Sequence, residues 1–260
     1  MESNPRSDTR FGGILRLYGP DAWTRIQTSR VMVVGIGGVG SWAAELLARS
    51  GVGAIDLVDL DDVCESNINR QVHALQSTVG QSKVDAMAKR IGEISPDCKV
   101  TVHASFLTQR NVAELVHGEI DAVFDAIDAL RHKITLLQHC RSHKIPLLVS
   151  GGAGGRKDPT RVRIEDMAHT RNDKLLQKMR KQLRSQHRFP RDTAKKFGVA
   201  CVFSDELASL PFDADGNCAV RPGESLRLDC ASGFGTAGYV TAAFGMAAAG
   251  WIVEQIARSS

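Results

Sequence analysis

Residues 31–41 read Val31-Met-Val-Val-Gly35-Ile-Gly37-Gly38-Val-Gly40-Ser41, a short β-rich apolar run that ends in a glycine turn. A helix pattern, Trp42 to Arg49, follows at once. The glycines fit GxGxxG between a strand and a helix. That arrangement lets backbone approach phosphate oxygens, while the helix N-terminus adds donors and a favourable dipole. Working outward, 54–59 reads as the next strand, 81–94 as a helix, 99–103 as a strand and 111–117 as a helix. Then come a strand over 122–127, a helix over 130–143 and a strand over 145–149. Strands alternating with helices of about 10–15 residues mean a parallel sheet covered on both faces. After Gly155 the rhythm breaks; 161–164 and 200–203 read as extra strands, and a last helix follows Gly235. The fold class expected is α/β: a Rossmann-like, doubly wound, mostly parallel sheet with added antiparallel strands in the C-terminal half. No linker or internal repeat divides the chain, so 1–260 reads as a single domain with 156–196 as a basic helix and loop insertion.

The glycine motif alone does not separate a dinucleotide site from an ATP site. Asp59, 24 residues after Gly35 at the end of the next strand, suits a carboxylate gripping ribose hydroxyls in either. The following stretch does discriminate. It runs Asp59-Leu-Asp61-Asp-Val-Cys-Glu-Ser-Asn67-Ile-Asn-Arg70-Gln71, then Val79-Gly-Gln-Ser-Lys83. A nicotinamide ring needs a neutral, apolar pocket, whereas an Arg and a Lys near a phosphate loop suit a triphosphate and its transition state. Asp128, after the strand ending at Ile127, falls on the same carboxyl edge of the sheet. A carboxylate facing phosphates there implies Mg2+. Each residue taken singly has a plainer reading: a surface charge, a helix-start lysine, a helix cap. Their joint placement favours ATP chemistry.

Composition narrows the classes further. With 43% hydrophobic and 24% charged residues in 260, the chain can bury a core, and wholesale disorder is excluded. The net charge of +4 hides an asymmetry: 156–196 holds 14 Lys/Arg against 5 Asp/Glu, and the rest of the chain is net acidic. Within the block, Lys174, Lys178, Arg180, Lys181, Arg184 and Arg188 are candidates for binding a nucleic-acid backbone; the plain alternative is a solvated helix face. No two of the six cysteines are spaced as CxxC, which excludes a zinc ribbon. The N-terminus lacks an apolar signal region, so reduced thiols and a cytoplasmic location are expected. Residues 231–253 carry no charge over 23 positions, enough to cross a bilayer. Twelve of them are Ala or Gly, however, and the segment reads as a buried helix.

The series GIGGVGS, DLDxxxxxNxxRQ, VGQSK and DAID resembles the ubiquitin-activating-like adenylating family that includes ThiF, MoeB and HesA. The resemblance implies ATP-dependent adenylation of a carboxylate. It also implies a nucleotide site built from Gly35, Gly37, Gly38, Gly40, Ser41, Asp59 and Asp61. Asn67, Arg70, Gln71 and Lys83 would lie along the phosphates, and Asp128 would hold magnesium. The segments RFGG…RLYG, DAIDALRHK, KIPLLVSGGAGGRKDPT and LDCASGFG are similar to one branch, the tRNA threonylcarbamoyladenosine dehydratases. That branch adenylates the carboxylate of the modified nucleoside beside the anticodon and closes a ring with release of AMP. A homodimer, and a sulfur-acceptor protein of a cysteine desulfurase system as partner, are implied by resemblance alone. The alternative is an activator of a ubiquitin-like sulfur-carrier protein, but the paired CxxC zinc ligands usual in such activators are absent. Gly13 stands where many members place an arginine that reaches into the partner subunit; Arg16 is the nearest substitute. Cys230, by resemblance a candidate nucleophile, has the plain alternative of a small buried residue.

Overall fold

The computed structural model describes residues 9–212 and 234–259. Two N-terminal helices, α1 (Gly12–Tyr18) and α2 (Pro20–Thr28), precede the sheet. The alternating unit then follows as β1 (Arg30–Val34), α3 (Gly40–Arg49), β2 (Ala54–Val58), α4 (Lys83–Ile94) and β3 (Lys99–His103). It continues with α5 (Val112–Leu115), β4 (Ala122–Asp125), α6 (Leu130–Ser142) and β5 (Leu147–Ser150). The C-terminal half adds β6 (Val162–Asp166), α7 (Lys174–Gln186), β7 (Ala200–Ser204) and α8 (Gly238–Arg258).

The strands lie in one seven-stranded sheet, ordered β3-β2-β1-β4-β5-β7-β6. Six are parallel; β6 alone pairs antiparallel, with Ile164 opposite Val202. The expected strand at 200–203 therefore extends the parallel sheet, and the added antiparallel character resides in β6. Strand order reverses between β1 and β4, which opens a crevice at their carboxyl ends, the usual ligand site of such sheets.

Alternation along the strands divides the core. Val31 and Val33 face one layer with α2, α3, α4 and α8, while Met32 and Val34 face the other with α5 and α6. A further cluster joins α6 and α7 through Leu137, Leu176, Met179 and Leu183. The expected helix over 111–117 shrinks to four residues in α5. Asn111 turns its Oδ1 back onto the Thr108 N–H at 2.7 Å, a local bond that competes with helix extension.

Helix α8 is long and apolar enough to span a membrane, yet 61% of its most apolar stretch is buried inside the protein. Its small residues explain that burial. A Cβ on Gly245 would sit 2.6 Å from Trp42 Cβ and 2.8 Å from the Ala43 nitrogen, so α8 and α3 touch through backbone. Gly250, by contrast, has nothing within 4 Å of its Cβ position. Gly245→Val is expected to cost about 1–3 kcal/mol by overpacking and to lower the thermal midpoint by about 2–12 °C. Gly250→Ala should instead stabilise by about 0.5–1 kcal/mol. Thermal unfolding of both variants checks the pair; a Gly245→Val protein as stable as the parent contradicts the close packing.

Candidate active site

A cavity of about 760 Å³ occupies the carboxyl edge of the sheet, from Ser105 past β3, through Asp59 and the glycine loop, to Gly151–Gly154 past β5. Two glycines of the loop are required by close backbone contacts. Gly35 has φ +92°, and a Cβ there would lie 2.8 Å from the Ala126 carbonyl oxygen. A Cβ on Gly40 would fall 1.8 Å from the Gly35 oxygen, whereas Gly37 opens onto nothing within 4 Å. The loop is thus tight underneath and bare on its cleft side. Helix α3 begins here with no side-chain cap, leaving its N-terminal end to a ligand.

Asp59 is anchored at the end of β2. One carboxylate oxygen accepts from the Ile36 N–H at 2.6 Å and the other from the Asp61 N–H at 2.9 Å. Each oxygen retains a lone pair for a ribose hydroxyl. Lys83, the first residue of α4, has a side chain 9% exposed and donates from Nζ to Asp61 Oδ2 at 2.8 Å. Ser82 starts that helix, its hydroxyl accepting from the Asp85 N–H. Asp61 lines the cleft as the counter-charge of Lys83. Arg70 is fixed through its carbonyl, which accepts from Trp42 Nε1 and from Thr241 Oγ1, both at 3.1 Å. Its guanidinium reaches the Ser66 carbonyl and Asn69 Oδ1.

Three residues of the expected nucleotide set, Gly40, Ser41 and Asn67, do not line the cleft. Asn67 is 3% exposed and does not line the cleft; its Oδ1 accepts from the Cys64 N–H at 3.1 Å, holding the turn that delivers Arg70. Asn69, two residues on, lines the cleft, its amide donating to the Thr236 carbonyl. Ser41 is fully buried, with its hydroxyl accepting from the Val72 N–H, and so packs under the loop. Gln71 does line the cleft. It is 5% exposed, and its Oε1 has no hydrogen-bond partner among the described residues.

Asp128 stands exposed on the turn after β4 and lines the same cavity. Below it is a pair that sequence reasoning missed. Lys133 and Asp125 are both wholly buried, with Nζ 3.0 Å from Oδ1. The same ammonium donates to the Ile127 carbonyl at 2.8 Å and to the Asp125 carbonyl at 3.3 Å, so it holds the turn carrying Asp128. Burial pushes the Asp125 carboxyl up, against the pull of Lys133. His132 was also missed; it lines the cleft with a buried Nδ1 that has no partner among the described residues. A charged residue closing the apolar strand Ala122–Asp125 was the available signal for the buried pair. No group of three or more metal-ligating side chains exists among the described residues. A lone carboxylate suits a magnesium ion completed by phosphate oxygens and water.

Burial pushes the Cys98 thiol up to about 11 and the Cys140 thiol up to about 12, and holds Cys201 well above the ordinary thiol range. Cys64 is exposed and free. Cys230 lies outside the described residues. Arg10 pairs with Asp97 at 2.7 Å, while Gly13 and Arg16 are exposed on α1.

The basic block splits in two. Its first part is neutralised within the fold: Arg156 is buried on the Gly154 and Asn172 carbonyls, and Arg161 and Arg171 both reach Asp205. Its second part is α7, capped by Asp173, whose carboxylate accepts from the Leu176 N–H at 2.9 Å. Leu175, Leu176, Met179 and Leu183 face inward, while Lys174, Lys178 and Lys181 share the exposed face. Arg180 and Arg184, expected at a nucleic-acid surface, are committed inward instead. Arg180 donates to the Met167 carbonyl and the Thr170 hydroxyl. Arg184 donates to the Pro190 carbonyl and lies 5.2 Å over the Phe197 ring. Arg188 is exposed, at φ 56°. Leu175 lines the cleft, so the lysine face starts at its rim.

Residues 13–259 match the ThiF family. The chain is 49% identical over 242 residues to the Escherichia coli K12 tRNA threonylcarbamoyladenosine dehydratase, covering 92% of this chain and 90% of that one. It is 39% identical to the Haemophilus influenzae protein of the same name, over 96% and 94% of the two chains. Its structure superposes on that of the E. coli dehydratase TcdA in complex with ATP, with a TM-score of 0.84 at 44% identity and coverage of 95% and 93%.

Proposed function

The chain belongs to the ThiF family, and on that footing we propose that it catalyses the ATP-dependent dehydration of threonylcarbamoyladenosine in tRNA. The observation that carries this reading is the shared edge between a phosphate-binding cleft and the exposed lysine face of α7. A tRNA presents phosphates to the lysines and one modified nucleoside to the cleft. The whole chain, 1–260, then acts as one adenylation domain carrying the basic 156–196 segment.

In this reading Asp59 holds the ATP ribose, and the Gly37–Gly38 backbone with the α3 N-terminus cradles the phosphates. The substrate carboxylate attacks the α-phosphorus, and the bond to the bridging oxygen breaks to release pyrophosphate. Lys83 and Arg70 meet the negative charge that builds on the phosphoryl oxygens. The ureido group of the substrate then attacks the acyl carbon; the bond to the AMP oxygen breaks and a proton leaves. One carboxylate oxygen departs on AMP, which accounts for the net loss of water. No protein thiol is needed. Magnesium would sit at Asp128, where it would neutralise triphosphate charge. Gln71 Oε1, buried without a partner, offers an acceptor to the bound nucleotide.

The resemblance to the family further implies a cytoplasmic homodimer, for which Leu17, Tyr239 and Met246 are exposed apolar side chains, and a sulfur-acceptor protein of a cysteine desulfurase system as its partner. Two experiments test the reading. The first incubates tRNA carrying threonylcarbamoyladenosine with the protein and Mg-ATP, under mild isolation, and expects ATP-dependent loss of one water from that nucleoside by mass spectrometry. Adenylation of a sulfur-carrier protein with no change in the nucleoside contradicts it. In the second, Lys178 and Lys181 are replaced by Gln, and tRNA binding is followed over a salt series. Loss of two phosphate contacts on single-stranded RNA predicts a salt-dependence slope shallower by about 1.4. An unchanged slope removes α7 from the tRNA surface.

A further inference from the structure

The cleft is longer than one nucleotide binding mode uses. Strands lie about 4.8 Å apart, so the four intervals from β3 to β5 span about 19 Å. Asp59 at the β2 end and the glycine loop at the β1 end assign ATP to one side, with Phe106 exposed at the β3 margin beyond the ribose. The β5 side is differently built. Gly152 leaves open space there, with nothing within 4 Å of its Cβ position, and Leu175 and Phe234 form the wall. The Phe234 ring is seated on glycine: a Cβ on Gly154 would lie 3.0 Å from its Cβ, and one on Gly155 would lie 2.8 Å from its Cδ1. The Gly155 N–H donates to the Gly235 carbonyl at 2.8 Å, pinning the segment beside the ring. Lys174, the first lysine of the α7 face, holds its Nζ 5.7 Å from the ring centroid.

We propose that this β5 end is a nucleobase site, with Phe234 the stacking face for the adenine of the substrate nucleoside. This rests on the tRNA reading above. Single-stranded RNA bases are bound by stacking on aromatic side chains, and an enzyme acting on one nucleoside takes it out of its stack. Here the aromatic face lies between the lysine stripe, which would hold the RNA backbone, and the phosphate loop, which would hold the α-phosphate. A purine stacked on Phe234 directs its threonylcarbamoyl arm from the β5 end toward β1, where ATP is activated. The two adenines of the reaction thereby occupy opposite ends of one cleft.

The test compares the parent with Phe234→Ala, Phe234→Leu and Phe234→Trp. It measures nucleoside dehydration against tRNA concentration at saturating ATP, and ATP affinity separately. Base stacking on an aromatic predicts kcat/KM for tRNA lower by about 5- to 100-fold in the Ala and Leu proteins. Phe234→Trp, which restores a π-face, should recover most of that loss, and ATP affinity should be unaffected in all three. Leu keeps apolar bulk, so its defect separates stacking from packing. Retained kcat/KM in the Leu protein, or ATP affinity falling in parallel with kcat/KM, overturns the proposal. A parent protein that binds ATP but never dehydrates the nucleoside overturns the functional reading, and this site with it.

Discussion

Lys83→Ala is expected to slow adenylation by about 100-fold or more while tRNA affinity stays near that of the parent. Lys83 is the one cation among the described cleft residues that a helix start holds nearly buried at the phosphate loop. Removing it takes away a charge that would meet the transferring phosphoryl group. It also strands the Asp61 carboxylate beside the triphosphate, turning a paired group into a repulsive one. The tRNA surface should not register the change. Helix α4 joins β2 to β3 at one end of the sheet, whereas α7 joins β6 to β7 at the other. Pyrophosphate exchange and filter binding measure the two properties separately. Equal loss of both contradicts this division of labour.

Lys133→Met should cause the largest loss of stability. It removes one partner of a wholly buried ion pair whose other member, Asp125, has an Oδ2 already without a partner among the described residues. Breaking such a pair costs about 3–5 kcal/mol, a fall in thermal midpoint of about 6–20 °C for a chain of this size. The pH dependence has a definite sign. Burial already raises the Asp125 carboxyl, and without Lys133 only the Ile127 N–H counters it. A carboxyl raised in the folded state is protonated there first, so its contribution is present in acid and lost as pH rises. The variant should therefore be more impaired at neutral than at mildly acidic pH. Adding Asp125→Leu should recover much of the stability, because a buried pair replaced by apolar groups is often neutral. Activity should not return, since Lys133 also holds the Ile127 carbonyl in the turn that presents Asp128. A stable and fully active double variant contradicts that positioning role.

What the sequence revealed follows from which forces are local. The glycine loop, β1 to β5 and their helices were legible because strand alternation, helix periodicity and glycine spacing repeat over short windows. The inward face of α7 was legible for the same reason, from Leu175, Leu176, Met179 and Leu183. The fate of individual polar groups was not. The motif points to Asn67, and only the turn geometry shows that Asn67 caps the Cys64 N–H while Asn69 faces the cleft. Arg180 and Arg184 read as solvated cations until Thr170 and Pro190 come up against them. Lys133 reads as a surface helix residue, because its partner Asp125 is brought to it by a strand–turn–helix crossover. The α1–α2 hairpin escaped notice because its only strong start signal is Pro20 after Gly19, in a segment of mixed polarity. Long-range partners decide these positions, and a single sequence does not show them.

In the proposed reaction the substrate carboxylate becomes an acyl-adenylate before the ring closes. The most direct measurement uses tRNA whose threonylcarbamoyladenosine carries heavy oxygen in that carboxylate, incubated with the protein and ATP in ordinary water. Each AMP released during dehydration should contain one heavy oxygen, transferred when the acyl–AMP bond breaks. Unlabelled AMP, with the nucleoside still dehydrated, would contradict it, because the oxygen would then have left by a route that never passed through the α-phosphate.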